Sequence, residues 1–121
     1  ETLYLLESGN RLAAAVTLNQ EEPPEYAPLS WQVSEGKILA VHRLAVDPTM
    51  RRKGFARHCM QRAEEMARQE AYDAIHMDVY TINQPARILY KALGYTEKEA
   101  FLFPGFEIPY VGLEKVLNTN G

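Results

Sequence analysis

The chain has 121 residues, with 13 Lys and Arg against 16 Asp and Glu, and a formal net charge of -3. That length holds one domain at most, over 1–121, with a real but small core, and the acidic balance argues against a general nucleic-acid binder. A single cysteine, Cys59, leaves no intrachain disulfide and suits a reducing, cytoplasmic setting. No apolar run approaches membrane-spanning length and no signal-peptide pattern is visible, so no membrane is expected as a partner. The chain opens at Glu1 and enters strand-like sequence at once, the look of a processed or trimmed N-terminus.

Residues 2–7 and 12–18 are apolar and rich in Leu, Ala and Val, and Ser8-Gly9-Asn10 between them is turn chemistry, so an antiparallel hairpin is expected. Residues 19–36 hold Pro23, Pro24, Pro28 and Gly36 with the acidic set Glu21, Glu22 and Glu25. They read as a long irregular connection, and loops of that length often carry function. Residues 38–46 form the next strand, stopped by Asp47-Pro48.

Residues 55–71 make the strongest helix: Phe55, Cys59, Ala63 and Ala67 recur every four residues with Ala56, Met60 and Met66 beside them, and Glu64 and Arg68 are expected to pair on the wet face. Cys59 sits on the apolar stripe and is core. Along 74–80 the pattern alternates, with Ile75, Met77 and Val79 on one face and His76, Asp78 and Tyr80 on the other.

Asn83 can cap a second helix that tolerates Pro85 in its first turn, buries Ala86, Leu89, Tyr90 and Leu93, and ends at Gly94. Residues 96–117 read as a hairpin around Pro104-Gly105, whose last strand Pro109 makes an edge strand or a bulged one. The order β-β-β-α-β-α-β-β is that of a mixed α/β domain.

Arg51-Arg52-Lys53-Gly54-Phe55-Ala56 lies between a strand and a helix. The first N–H groups of a helix have no internal partner and the dipole adds positive potential there, so a basic turn with a glycine can take an anion. The form R-x-x-G-x-A suggests a diphosphate-bearing ligand. The nucleotide-hydrolase loop G-x-x-x-x-G-K-[ST] is absent, and the three-glycine dinucleotide fingerprint is absent too. A solvated basic face is the plainer alternative for the turn alone.

Residues 83–95 follow N-x-x-A-x-x-x-Y-x-x-x-G-[FY]. Together with V-H-R-L-A-V-D-P and the R-x-x-G-x-A turn, the chain closely resembles the GNAT superfamily of N-acetyltransferases, most strongly over 38–95. The resemblance implies an acetyl-CoA cosubstrate and a mostly antiparallel mixed sheet flanked by helices. It also implies that the backbone of Leu44, Ala45 and Val46 pairs with the pantetheine arm as an added strand. A bulge there would splay this strand from 74–80 and open a cleft for the thioester. The turn of Arg51, Arg52, Lys53, Gly54, Phe55 and Ala56 would cradle the pyrophosphate. Asn83 and Ala86 would lie near the pantetheine, and Tyr90 would protonate the departing CoA thiolate. A plain helix cap for Asn83 and plain packing for Tyr90 are the alternatives.

Some relatives carry a glutamate base on the strand before the turn; counting back from Gly54 puts Ala40 there, so that residue is missing. His42, His76, Asp78 or ordered water are the candidates in its place. His58 and Cys59 are helix neighbours that point apart, not a nucleophile–base pair. The three histidines have no metal-ligand spacing, and no metal is expected.

Family members usually begin with a strand and two helices, which are expected to be missing here. The acceptor site would then be incomplete, or be built by a partner chain or by the loop at 19–36. In that loop Glu21, Glu22, Glu25, Tyr26 and Trp31 would suit a cationic amine on an aromatic platform, or form only a solvated loop with an anchoring Trp. Sheet surface left bare would favour a homodimer. The expected activity is direct acetyl transfer to a small-molecule or peptide amine; the alternative is a noncatalytic acyl-CoA-binding or regulatory module of the same fold.

Overall fold

Period-two stretches of apolar residues become strands in this chain, and the two stretches with helical spacing become helices. The computed structural model describes the backbone over residues 2–8, 11–46 and 54–117. The strands are β1 (Thr2–Ser8), β2 (Arg11–Asn19), β3 (Ile38–Val46), β4 (Ala74–Tyr80), β5 (Thr96–Phe101) and β6 (Tyr110–Val116). Helix α1 (Phe55–Gln69) joins β3 to β4, and α2 (Gln84–Ala92) joins β4 to β5. They form one 6-stranded sheet in the order β1-β2-β3-β4-β6-β5. Every neighbouring pair is antiparallel except β3–β4, which is parallel because α1 crosses over between them. The expected element order and the GNAT-like mixed sheet with few helices are what the structure has.

Alternation sorts the sheet into two faces. Ile75, Met77 and Val79 of β4 join Leu39, Val41, Val111 and Leu113 in the core, under Cys59, Met60, Ala63 and Ala67 of α1 and Tyr90 of α2. The other β4 face carries His76, Asp78 and Tyr80 and is covered in part by the 19–36 connection. That connection lies close because Gly112 has no side chain: a Cβ there would sit 2.7 Å from Leu29 Cδ1 and 3.0 Å from Trp31 Cη2.

Three local expectations are corrected. Glu64 is not on the wet face: it is 5% exposed, accepts from Tyr95 Oη at 2.9 Å and from Lys115 Nζ at 2.9 Å, and does not depend on Arg68. Helical geometry explains this, since Glu64 lies one turn from both Met60 and Ala67, within the buried stripe. The last strand is not an edge: β6 lies between β4 and β5. Pro109 precedes it, and the register shift is an extra residue in β5, between Glu97 and Ala100. Helix α1 stops at Gln69, short of residue 71, because Ala71 takes a left-handed φ of 61° and Tyr72 N–H donates back to Ala67 O at 2.9 Å.

Two stability measurements follow. Glu64→Ala strands the Tyr95 hydroxyl and leaves the Lys115 ammonium with Leu93 O alone and no counter-charge, so urea unfolding should show a loss of about 2–4 kcal/mol; an unchanged midpoint would remove the buried role. Ala71→Gly relieves a left-handed alanine at an exposed helix end and should raise stability by about 0.5–1 kcal/mol. A fall in melting temperature for this variant would contradict that.

Candidate active site

The site begins with one misfit between strands. β3 and β4 pair only at Ile38↔Ala74, Leu39↔Ile75 and Ala40↔His76, although they run on to Val46 and Tyr80. Against β2, Ala15 faces Ala45 while Thr17 faces His42, so β3 carries one extra residue between His42 and Ala45. An inserted residue bends a strand and increases its twist, and here the two strands part beyond Ala40. The gap is a cleft of about 700 Å³ whose walls include Val41, His42, Met77, Asp78, Asn83 and Tyr90. Because Met77 and Asp78 belong to opposite faces of β4, the cleft passes through the plane of the sheet.

On the helix side, Asn83 Oδ1 accepts from Ala86 N–H at 3.2 Å and caps α2, with Pro85 in the first turn. The cap sets the helix start so that Ala86 and Tyr90 turn toward the cleft, which both line. Tyr90 is buried; its burial, then the charge of Asp78, push its phenol up to about 12. At the start of α1, Gly54 takes a left-handed φ of 80° and is the N-cap, with no side chain capping the helix. A side chain is disfavoured at that φ, and the space where a Cβ would stand is open. Gly54, Phe55 and Ala56 lie outside the lining of this cleft. Leu44 falls on β3 within the irregular step between His42 and Ala45, and Ala45 and Val46 follow it. Arg51, Arg52 and Lys53 lie outside the described residues.

On the loop side, Asp78 Oδ2 accepts from Tyr26 Oη at 2.5 Å. Burial raises the Asp78 carboxyl, opposed by the Tyr26 hydrogen bond and by His42. His42 Nε2 stands 2.9 Å from Asn19 Oδ1 and 3.1 Å from Glu21 O. Both are acceptors, so Nε2 carries the proton.

His76 does not reach the cleft. It is 0% exposed, with Nδ1 2.9 Å from Glu22 Oε2 and Nε2 2.9 Å from Glu114 Oε2. Its ring stacks on Trp31 at 3.9 Å and 13°. Glu114 also accepts from the N–H groups of Gln32 and Val33 at 2.8 and 2.9 Å. Burial pushes its carboxyl up, but those N–H groups, His76 and Lys98 outweigh that and hold it below its ordinary value.

The 19–36 connection is thus clamped to the sheet. The aromatic platform expected there is not offered to a ligand: Tyr26 is buried, Trp31 Nε1 donates to Tyr26 O at 2.9 Å, and Glu22 is engaged by His76. From this connection Pro23 lines the cleft, and the Tyr26 hydroxyl bonds Asp78 on its wall. Sequence reasoning missed a further wall of Tyr80, Phe103, Phe106 and Tyr110; the aromatic density of 101–110 was its signal. Among the described residues no cluster of His, Cys, Asp and Glu is placed to hold a metal ion, and no helix is long and apolar enough to cross a membrane.

No curated protein matches the chain in sequence. Among solved structures, the ribosomal-protein-S18-alanine N-acetyltransferase from Escherichia coli superposes with a TM-score of 0.76 at 15% identity, covering 99% of this chain and 71% of that one. The yncA protein from Salmonella typhimurium, solved with its cofactor acetyl-CoA, gives 0.76 at 14% identity, covering 96% and 64%. A chain of the NatC complex bound to Gag peptide and CoA gives 0.74 at 18% identity, covering 96% and 71%. These likenesses establish the fold. The model of the acetyltransferase (GNAT) family matches residues 1–95, and the chain belongs to that family.

Proposed function

We propose that this chain transfers an acetyl group from acetyl-CoA directly to a primary amine, with Tyr90 as the acid. The observation that carries the reading is the parting of β3 from β4, which sets Tyr90 and Asp78 on the walls of one through-going cleft. Two features fit CoA. Beyond Ala40, β3 has no β4 partner, so its backbone can take the pantetheine arm along Leu44, Ala45 and Val46 as an added strand. The uncapped start of α1 at Gly54, Phe55 and Ala56 offers N–H groups to the pyrophosphate, joined by Arg51, Arg52 and Lys53. Asn83 and Ala86 flank the arm.

Acetyl-CoA would supply the activated acetyl group as a thioester. A backbone N–H of the 44–46 stretch stabilises charge on the carbonyl oxygen. Tyr90 gives its proton to the sulfur, a role suited to a phenol that stays protonated far above neutrality. No nucleophilic residue is required. Asp78 and His42 line the acceptor side, and Asp78 supplies the carboxylate that Ala40 lacks. Ala40 itself, 1% exposed, cannot serve as a base. That absence is what favours the second reading, a module that binds acyl-CoA without turnover. Binding with no CoA release over a broad amine panel would select it.

Calorimetry of the purified chain should show saturable acetyl-CoA binding, and its absence would end the reading. Tyr90→Phe should lower kcat by about 10²–10⁴ while leaving acetyl-CoA affinity in place; unchanged turnover at every pH would remove Tyr90 from the acid role. The acid must be protonated to act, and its raised pKa of about 12 extends the protonated form upward. Wild-type kcat should therefore show no alkaline fall below about pH 11. A limb near neutrality that vanishes in Tyr90→Phe would contradict the assignment.

A further inference from the structure

The acceptor side of the cleft has a chemical character of its own. In the β4–β6 ladder Tyr80 faces Tyr110 and Asp78 faces Gly112, so Asp78, Tyr80 and Tyr110 share one face of the sheet. The Tyr80 and Tyr110 rings stack at 4.2 Å and 27°. The 102–109 segment folds back over them: Phe103 stands edge-on to Tyr110 at 4.9 Å, and Phe106 lies 6.0 Å from Tyr110. Phe106 is 49% and Tyr80 37% exposed, a large apolar area for water to meet unless something covers it. Among the described lining residues Asp78 is the one carboxylate, and no Lys or Arg is found among them.

The main chain around these rings is largely bonded to itself. Thr81 N–H and Oγ1 both donate to Pro109 O, Asn83 N–H to Tyr80 O, and Phe106 N–H to Phe103 O. An extended peptide finds few free backbone partners there. Ring faces beside a single anionic group suit a small cation that carries its own aromatic ring.

Building on the acetyltransferase reading, we propose that the acceptor is a small arylalkylamine: a primary amine joined by a short alkyl link to an aromatic ring. Its nitrogen lies at Asp78 and its ring packs among Tyr80, Phe106 and Tyr110. The ammonium gives one proton to Asp78, which passes it to solvent. The freed amine forms the C–N bond as the C–S bond breaks. Sulfur leaves with the electron pair and takes the Tyr90 proton, and Tyr90 is restored from the acylated nitrogen through water. Asp78 holds and neutralises the amine; Tyr80, Phe106 and Tyr110 select its ring.

The test measures CoA release by the full chain at saturating acetyl-CoA. The amines are 2-phenylethylamine, n-propylamine, spermidine and a tripeptide amide with N-terminal Phe. The expected kcat/KM for 2-phenylethylamine exceeds each of the other three by about tenfold or more, within the range a ring pocket can discriminate. Phe106→Ser, at a half-exposed loop position, should cut that preference by about fivefold or more, mainly through KM for the aryl amine, with an unchanged melting temperature. Equal or better turnover of n-propylamine or spermidine overturns the proposal and leaves acetyl transfer standing. Preference for the Phe peptide overturns the small-molecule assignment, and an unaltered preference in Phe106→Ser overturns the ring site. No turnover of any amine overturns both this proposal and the acetyltransferase reading beneath it.

Discussion

The extra residue that β3 inserts between His42 and Ala45 is the constraint from which the rest of the site descends. Parallel strands joined by a crossover helix ordinarily pair along their shared length. Here β3 and β4 pair for three residues and then separate, which leaves main-chain groups of β3 unpartnered by β4 and opens a passage through the sheet. Both walls then come from ordinary alternation. Residues of β4 that would lie above and below a closed sheet instead meet at one gap, so Tyr90 on the helix side can sense the charge of Asp78 on the loop side.

A cleft through a sheet needs rigid edges, and the buried polar groups supply them. His76, held between Glu22 and Glu114 and stacked on Trp31, ties the 19–36 connection to β4 and β6. Glu114 then gathers the N–H groups of Gln32 and Val33. The same connection delivers Tyr26 to Asp78. On the other face, Glu64 links α1 to β6 through Lys115 and to Tyr95 after α2. Glu64 and Glu114 are each satisfied by several donors, which is the condition under which buried charge fixes geometry.

The sequence made the scaffold legible because strong local signals agree. Period-two runs, Asn83 as a cap, Gly94 as a stop and the turn chemistry at Pro104-Gly105 place the elements close to their observed limits. The motif spacing over 38–95 pointed to the family and to Tyr90 and Asn83. What stayed hidden depends on long-range contacts. Tyr26 and Asp78 lie 52 positions apart, and nothing local marks them as partners. The order of β6 and β5 in the sheet likewise cannot be read from Pro109, whose missing N–H matters only once its neighbours are known. Glu64 was readable in principle, since a 3.6-residue period places it between Met60 and Ala67; its charge argued for solvent until Tyr95 and Lys115 were seen to meet it.

In the proposed reaction the parted strands hold the acetyl donor with its sulfur at Tyr90. A crystal structure of the chain with CoA tests it most directly. The pantetheine arm is expected to be hydrogen-bonded along residues 44–46 of β3, with the thiol within hydrogen-bond reach of Tyr90 Oη. CoA bound outside the β3–β4 cleft, or with its sulfur remote from Tyr90, would contradict it.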